Sequence, residues 1–396
     1  MKSAALLIFF LTLFLNGTIR SQSSVNPDIS LIGSFNTFSN FIKDSPDYKK
    51  LIFDNPAMEL FVDGYLNPFA RAAGVVSYEE NKFSIEELYA EVLRGLPLDI
   101  QLKAGKFLVG FGKINTLHPH AWPFLERPLF HQIYFGDEGF NDIGLNLSFL
   151  LPTGDIYTNL DLGIFKGDAI GKSEAAIPDD PESIRALRGN SPVFAGRLGS
   201  FFNISDYSDL EVGMSGSFGV HAKTNIVSTL NPSEFNNKSL YYTYGGIDFK
   251  FKYKPDSYTS LTLQGEVLLN HRDVFRRNFI AENRYIDAVN QITTIGSVIY
   301  FDYRFSKIFS LGAKYDFTYG LPGEAPSYNT LSNDDRNKTH GISEWIGYYP
   351  VEETLALRLG AQHLFFSLPD NLSADSQTTI TLQLLFSLGP HKAHPF

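Results

Sequence analysis

The sequence predicts an all-β protein, a transmembrane antiparallel up-and-down β-barrel of about 16 strands. Three observations carry that prediction. Apolar and polar residues alternate strictly along many segments of similar length; the connections between those segments alternate between short and long; and an amino-terminal export signal precedes a chain without any run of about 18 apolar residues that would cross a bilayer as a helix.

The alternation is clearest in KIFSLGAKYDFTYG (307–320). Phe309, Leu311, Tyr315 and Phe317 share one face of a strand, and Ser310, Lys314, Asp316 and Thr318 share the other. GLNLSFLL (144–151) opposes Leu145, Leu147 and Phe149 to Asn146 and Ser148, and IYTNLDLGIF (156–165) opposes Ile156, Leu160, Leu162 and Ile164 to Tyr157, Asn159 and Asp161. In GIDFKFKYK (246–254), Ile247, Phe249, Phe251 and Tyr253 face away from Asp248, Lys250 and Lys252; LALRLGAQ (355–362) sets three leucines against Arg358 and Gln362. The final TTITLQLLFSL repeats the pattern with Ile380, Leu382, Leu384 and Phe386.

On this basis strands are expected near 28–37, 57–66, 69–78, 84–93, 98–108, 142–151, 155–165, 193–201, 208–220, 240–254, 258–270, 290–304, 308–319, 339–350, 354–366 and 378–388. Boundary shifts leave about fourteen or about eighteen open as counts. Short links such as LNP (66–68), RGLP (94–97), PTG (152–154), ISDYSD (204–209), KPDS (254–257), SK (306–307) and VEE (351–353) interleave with long ones at 38–56, 109–141, 166–192, 221–239, 271–289, 320–338 and 367–377. Only the link near 79–83 is short on the long side. Short periplasmic turns and long outer loops sort in this way in membrane barrels, and an even strand count puts both termini in the periplasm.

MKSAALLIFFLTLFLNGTIRSQSS reads as a secretory signal: Lys2, an apolar stretch from Ala4 to Leu15, and a cut placed after Ser21. The expected organisation is a signal peptide over 1–21 and one barrel domain over 22–396. Losing Lys2 and Arg20 takes the formal charge from −10 to −12, which argues against a nucleic-acid partner. The chain has no cysteine, so neither a disulfide nor an N-terminal lipid supports it. It is rich in aromatics, with 35 Phe and 20 Tyr. The expected surroundings are outer-membrane lipid, lipopolysaccharide and the barrel-assembly machinery. Phe396, or Phe386 on the last strand, is the candidate assembly signal.

The two faces then divide their solvents. Lipid tails meet Phe, Leu and Ile, and an aqueous lumen solvates Lys250, Lys252, Arg304, Lys314, Asp316 and Arg358. Closure follows, because an open edge in hydrocarbon leaves backbone groups unpaired at several kcal/mol each. Tyr253, Tyr319, Trp345 and Tyr349 are placed in the interfacial girdles. The alternative is a soluble barrel or sandwich that buries the apolar face.

The third outward loop, 109–141, is the longest and carries three prolines, several aromatics, three histidines and both signs of charge. The run IEELYAEVLRGLPLDIQLKAGKFLVGFGKINTLHPHAWPFLERPL (85–129), continuing through FGDEGFNDIGLNLSFLLP, resembles outer-membrane porins of the phosphate-selective type and their uncharacterised Gram-negative relatives. LKAGKFLVGFG is its most recognisable part. The resemblance covers roughly a fifth of the chain and implies a sixteen-stranded barrel whose third loop folds into the lumen and narrows it. Phosphate selectivity is not carried over, because no arginine ladder is evident.

A loop in that position makes Lys113, His118, His120, Arg127, His131, Asp137 and Glu138 the candidate constriction, since fixed charges at a narrow point select permeants by sign. Each of them could equally pin the loop to the wall, for instance by Arg127 pairing with Glu126, Asp137 or Glu138. His118-Pro119-His120 is half of a metal site, with His131 as the only further nitrogen donor nearby; no metal or cofactor is assigned, and a packed turn stiffened by Pro119 and Pro123 is the simpler reading. HRDVFRRNFIAENR (271–284) is read as a solvated loop helix displaying Arg272, Arg276, Arg277 and Arg284. DDPE (179–182) and NDD (333–335) are read as loop tips, and GKS (171–173) lacks the glycine run of a phosphate loop.

These features point to a passive channel for small hydrophilic solutes or ions, without covalent chemistry and with a homotrimer as the assembly to test. Other readings are a gated carrier for a specific or hydrophobic substrate, a purely structural barrel, and a lipid-facing phospholipase for which His363 is the lone candidate base. An energy-coupled receptor is disfavoured, because strands begin almost directly after the export signal and leave no room for a plug.

Overall fold

A computed structural model describes residues 27–43, 45–170, 184–185, 192–226, 236–281, 284–321, 337–351, 354–367 and 376–389. The expected export signal, the segments 171–173, 179–182 and 333–335, and Phe396 lie outside the described residues. Alternating sequence becomes 16 antiparallel strands: β1 (Asp28–Asn40), β2 (Ala57–Asn67), β3 (Ala70–Glu79), β4 (Lys82–Val92), β5 (Gln101–Leu108), β6 (Asn141–Leu151), β7 (Tyr157–Phe165), β8 (Val193–Ser205), β9 (Ser208–Ile226), β10 (Asn236–Tyr253), β11 (Ser260–Ala281), β12 (Arg284–Arg304), β13 (Phe309–Leu321), β14 (Asn337–Val351), β15 (Leu355–Ser367) and β16 (Gln377–Leu388). Each pairs with its neighbours in sequence, and β1 pairs with β16 from Leu31↔Leu388 to Asn40↔Thr379, so the sheet closes on itself. Short strands at Leu51–Phe53 and Ile184–Arg185 add to β1 and β9.

Burial follows the pleat. Along β13, Leu311 and Tyr315 are exposed while Ser310, Lys314, Asp316 and Thr318 are buried, and along β15 Leu357 and Leu359 are exposed beside buried Arg358. A soluble fold would show the reverse, so the alternative with a sheltered apolar face is excluded.

Three corrections concern elements and faces. Within the loops expected over 221–239 and 271–289, the described residues are strand: β9 and β10 stay paired to Ile226↔Asn236, and β11 and β12 to Ala281↔Arg284. HRDVFRRNFIAENR is therefore the end of a hairpin and not a helix. Apolar alternation stops where lipid stops, but a paired backbone ladder needs no apolar face in water.

Trp345 and Tyr349 do not stand in a girdle. They share the parity of buried Ser343, so Trp345 donates its indole N–H to Asp302 at 3.1 Å, and Tyr349 lies 4.9 Å from the Arg304 guanidinium. Lys314, Asp316 and Arg358 are not bathed in water either. All three are almost fully buried beneath segment 109–140. That segment holds 3-10 turns at Ile114–Thr116 and Pro119–Ala121 and a short helix, α1 (Leu129–Phe135).

Candidate functional site

Segment 109–140 begins where β5 ends. Gly112 has φ +66°, and a Cβ there would sit 2.6 Å from a carboxylate oxygen of Glu266 on β11, so only glycine allows the turn and the approach together. Into that space Glu266 accepts the backbone N–H groups of Lys113 and Ile114, both at 2.6 Å, and faces Nε2 of His131 at 3.1 Å. Asn115 ties the two ends of the segment: its amide donates to the carbonyls of Val109 (2.8 Å) and Phe140 (3.0 Å), and its oxygen accepts the Phe140 N–H at 2.8 Å.

α1 is held from the wall. Asp316 accepts the Leu129 N–H at 3.2 Å, near the positive end of the helix, and Tyr134 donates to Thr294 at 2.8 Å. Around it, Phe111, Phe124, Phe130, Phe135 and Phe140 join Phe107, Phe165, Tyr244, Tyr300 and Trp345 of the strands in one buried cluster. Gly296 makes room for it, since a Cβ there would come within 2.2 Å of Phe130. A barrel whose apolar faces look outward thus has its dry core between this segment and the opposite face of the sheet.

The charged candidates are distributed over that contact. Lys113 forms an ion pair with Glu211. Lys314 lies 3.0 Å from Asp316, donates to the Glu126 carbonyl at 2.9 Å and sits 4.8 Å from the Phe124 ring centre. Arg358 donates to the carbonyls of Trp122 and His120. Arg127 lies 4.8 Å from the Trp122 ring; burial pushes its guanidinium down to about 10, against the charges of Asp137, Glu86 and Glu138. Burial also raises the Glu126 carboxyl, opposed by Lys314. Asp137 is exposed, and Glu138 meets Lys106 at 3.4 Å.

His118 and His120 meet a second acidic group. Nδ1 of His118 lies 3.5 Å from Glu59 and 3.4 Å from Glu86, its Nε2 lies 2.6 Å from Glu87, and Nδ1 of His120 lies 3.1 Å from Glu59. Burial opposes a charge on His118, but hydrogen bonds to Glu86 and Glu87 and the charges of Glu59 and Glu87 raise it to about 10. Sequence reasoning missed these carboxylates. Strict alternation puts Glu86 and Glu87 on opposite faces, whereas a register shift, Val75↔Glu87 followed by Val76↔Ile85, brings both to His118.

Below this segment a cavity of about 340 Å³ is lined by Lys250, Lys252, Lys254, Arg304, Lys307 and Arg358, with Asp302 as its acidic member; His120 and Trp122 also border it. The parity of Lys250 and Lys252 was legible, and Lys254 continues it past the strand end. Lys307 comes from a turn, where alternation carries no signal. On the exposed face, Nε2 of His363 lies 3.1 Å from a carboxylate oxygen of Glu344, and its Nδ1 lies 3.0 Å from the Thr378 hydroxyl.

No family model matches the sequence. An uncharacterised protein of Aquifex aeolicus (strain VF5) is 26% identical over 406 aligned positions, spanning 95% of this chain and 81% of the relative. Among solved structures, the outer membrane channel DcaP of Acinetobacter baumannii is 12% identical with a TM-score of 0.52, covering 92% of this chain and 97% of that one. A loop L8 deletion mutant of OmpT, an outer membrane protein of Vibrio cholerae, is 9% identical with a TM-score of 0.52 over 91% and 99% of the chains. The anion-selective porin from Comamonas acidovorans is 11% identical with a TM-score of 0.50, covering 91% of this chain and 100% of that one. The fold of this chain is thus that of outer-membrane porins and channels.

Proposed function

We propose that the protein is an integral outer-membrane porin: a water-filled channel for passive diffusion of small hydrophilic solutes, with both termini periplasmic, narrowed by segment 109–140 in its lumen and favouring anions. The observation that carries the charge preference is the cavity with six basic side chains and one acidic one. Clustered fixed charge in a confined, low-dielectric passage raises the local concentration of counter-ions and excludes like charge. The contacts of Lys314, Asp316, Arg358 and Glu266 with segment 109–140 support the narrowing, because those side chains share the face opposite the exposed leucines.

Planar-bilayer recording tests this reading. Stepwise conductance with an anion-side reversal potential is expected. Lys250→Glu combined with Arg304→Glu should move the reversal potential to the cation side, and Lys113→Glu with Arg127→Glu should also shift it. Unchanged reversal potentials would end the charge assignment, and absence of conductance would end the channel.

A hydrolytic reading draws on Glu344, His363 and Thr378. It lacks a route to oxyanion stabilisation, since the backbone amides of β14, β15 and β16 around them are committed to the strand ladder. The same pair supports a homotrimer instead. Glu344 is exposed between Ile342 and Ile346, and a carboxylate facing acyl chains costs on the order of 1–2 kcal/mol, which cover by a second copy would relieve. Light scattering of Ala361→Trp, beside Glu344 on the same face, should show monomers where the natural chain shows trimers; equal masses would remove this interface.

A further inference from the structure

We propose that Nδ1 of His118, Nδ1 of His120, Oε2 of Glu59 and Oε2 of Glu86 form a binding site for one transition-metal dication of zinc-like chemistry, clamping segment 109–140 to β2 and β4. This inference stands apart from the channel reading, because it concerns how the segment is held and not what passes it.

The spacing of the donor atoms is the first argument. Metal–ligand distances near 2.0–2.2 Å put the donors of a tetrahedral site about 3.3–3.6 Å apart. His118 Nδ1 lies 3.5 Å from Glu59 Oε2 and 3.4 Å from Glu86 Oε2, and Glu59 Oε2 lies 3.1 Å from His120 Nδ1. Glu59, Glu86 and His118 offer one ligand atom each within 4.8 Å of one another; His120 stands outside that group, reaches it through Glu59 Oε2, and would move in as the fourth donor when the ion binds. Glu59 Oε2 is buried and accepts no hydrogen bond, although it faces both imidazoles.

The surroundings are those of a metal site. Glu87 takes the remaining nitrogen of His118 at 2.6 Å, the carboxylate–imidazole arrangement that orients a metal-bound histidine and raises its basicity. The two rings lie 5.7 Å apart and 14° from parallel, held by the Pro119–Ala121 turn, and Phe61 meets both edge-on at 5.2 and 5.6 Å. Two nitrogen donors with two carboxylates suit zinc, cobalt(II) or nickel(II); calcium and magnesium call for six or more oxygens. Two carboxylates also balance a dication.

The test uses the whole barrel in detergent, stripped with a chelator and titrated with Co²⁺, then Zn²⁺. One equivalent of Co²⁺ should bind with the visible absorption of a tetrahedral site, and Zn²⁺ should abolish that band. His118→Ala and, separately, His120→Ala should weaken binding by more than about 100-fold, and Glu87→Gln by about 10-fold. His271→Ala, on the exposed face, should change nothing. Heat-modifiable migration on gels identifies the variants that remain folded. The site is refuted if the natural chain shows no saturable one-equivalent binding, or if a folded His118→Ala or His120→Ala variant binds as tightly as the natural chain.

Discussion

Glu266 organises more of segment 109–140 than any candidate picked from the segment itself. A buried carboxylate is tolerated only when its lone pairs are filled, and here two backbone N–H groups and one imidazole fill them. Charge-assisted bonds of this kind contribute about 1.5–3 kcal/mol each. Glu266→Ala should therefore leave the barrel folded while the amides of Lys113 and Ile114 exchange hydrogen at least about tenfold faster, read by hydrogen–deuterium exchange mass spectrometry. Unchanged protection would show that the turn holds itself. The residues of the segment were legible because so many aromatics, prolines and histidines are unusual in a connection between strands. Glu266 was not: its partners stand more than 130 positions away in sequence, and on β11 it is one more polar residue in an alternating row.

At the scale of elements, strands and segment obey different rules. A strand needs only period-two alternation and a neighbour, so all 16 were locatable, with errors at the strand ends beyond the apolar band, where lipid no longer enforces the pattern. α1 has seven residues, too short to persist alone, and exists because the wall supplies Asp316, Thr294 and the aromatic cluster. Phe135→Ala, at a fully buried position, should cost the segment about 3–5 kcal/mol and expose it to proteolytic nicking while the folded barrel still migrates as a heat-modifiable species. Resistance equal to that of the natural chain would mean that the polar ties alone hold it.

For the whole molecule, closure is the decisive property. β1 is paired on one side with β2 and on the other with β16, so none of the 16 described strands presents a bare edge to hydrocarbon. Ending the chain before Gln377 removes β16 and exposes ladder groups on both β1 and β15. That truncation should yield no detergent-stable, heat-modifiable species; a folded product would show that the remaining strands reclose. The basic cavity is a whole-molecule feature too, because its six cations come from β10, β12, β15 and the turns between strands. The sequence showed no arginine ladder, and the cavity's cations are four lysines and two arginines gathered from separate strands and turns.

By itself the sequence determined that this chain is a closed barrel of about sixteen strands, which face meets lipid and which does not, and that the segment after β5 is exceptional. Those properties are local: a side chain's face is set by its parity, and parity is written residue by residue. Tertiary structure alone decided that Glu59, Glu86 and Glu87 meet His118, that Glu266 caps a turn from another strand, and that Lys307 stands with Lys250. Such meetings depend on strand register, a bulge and the curvature of a closed sheet, which are sums over the whole ring and appear in no single stretch of it.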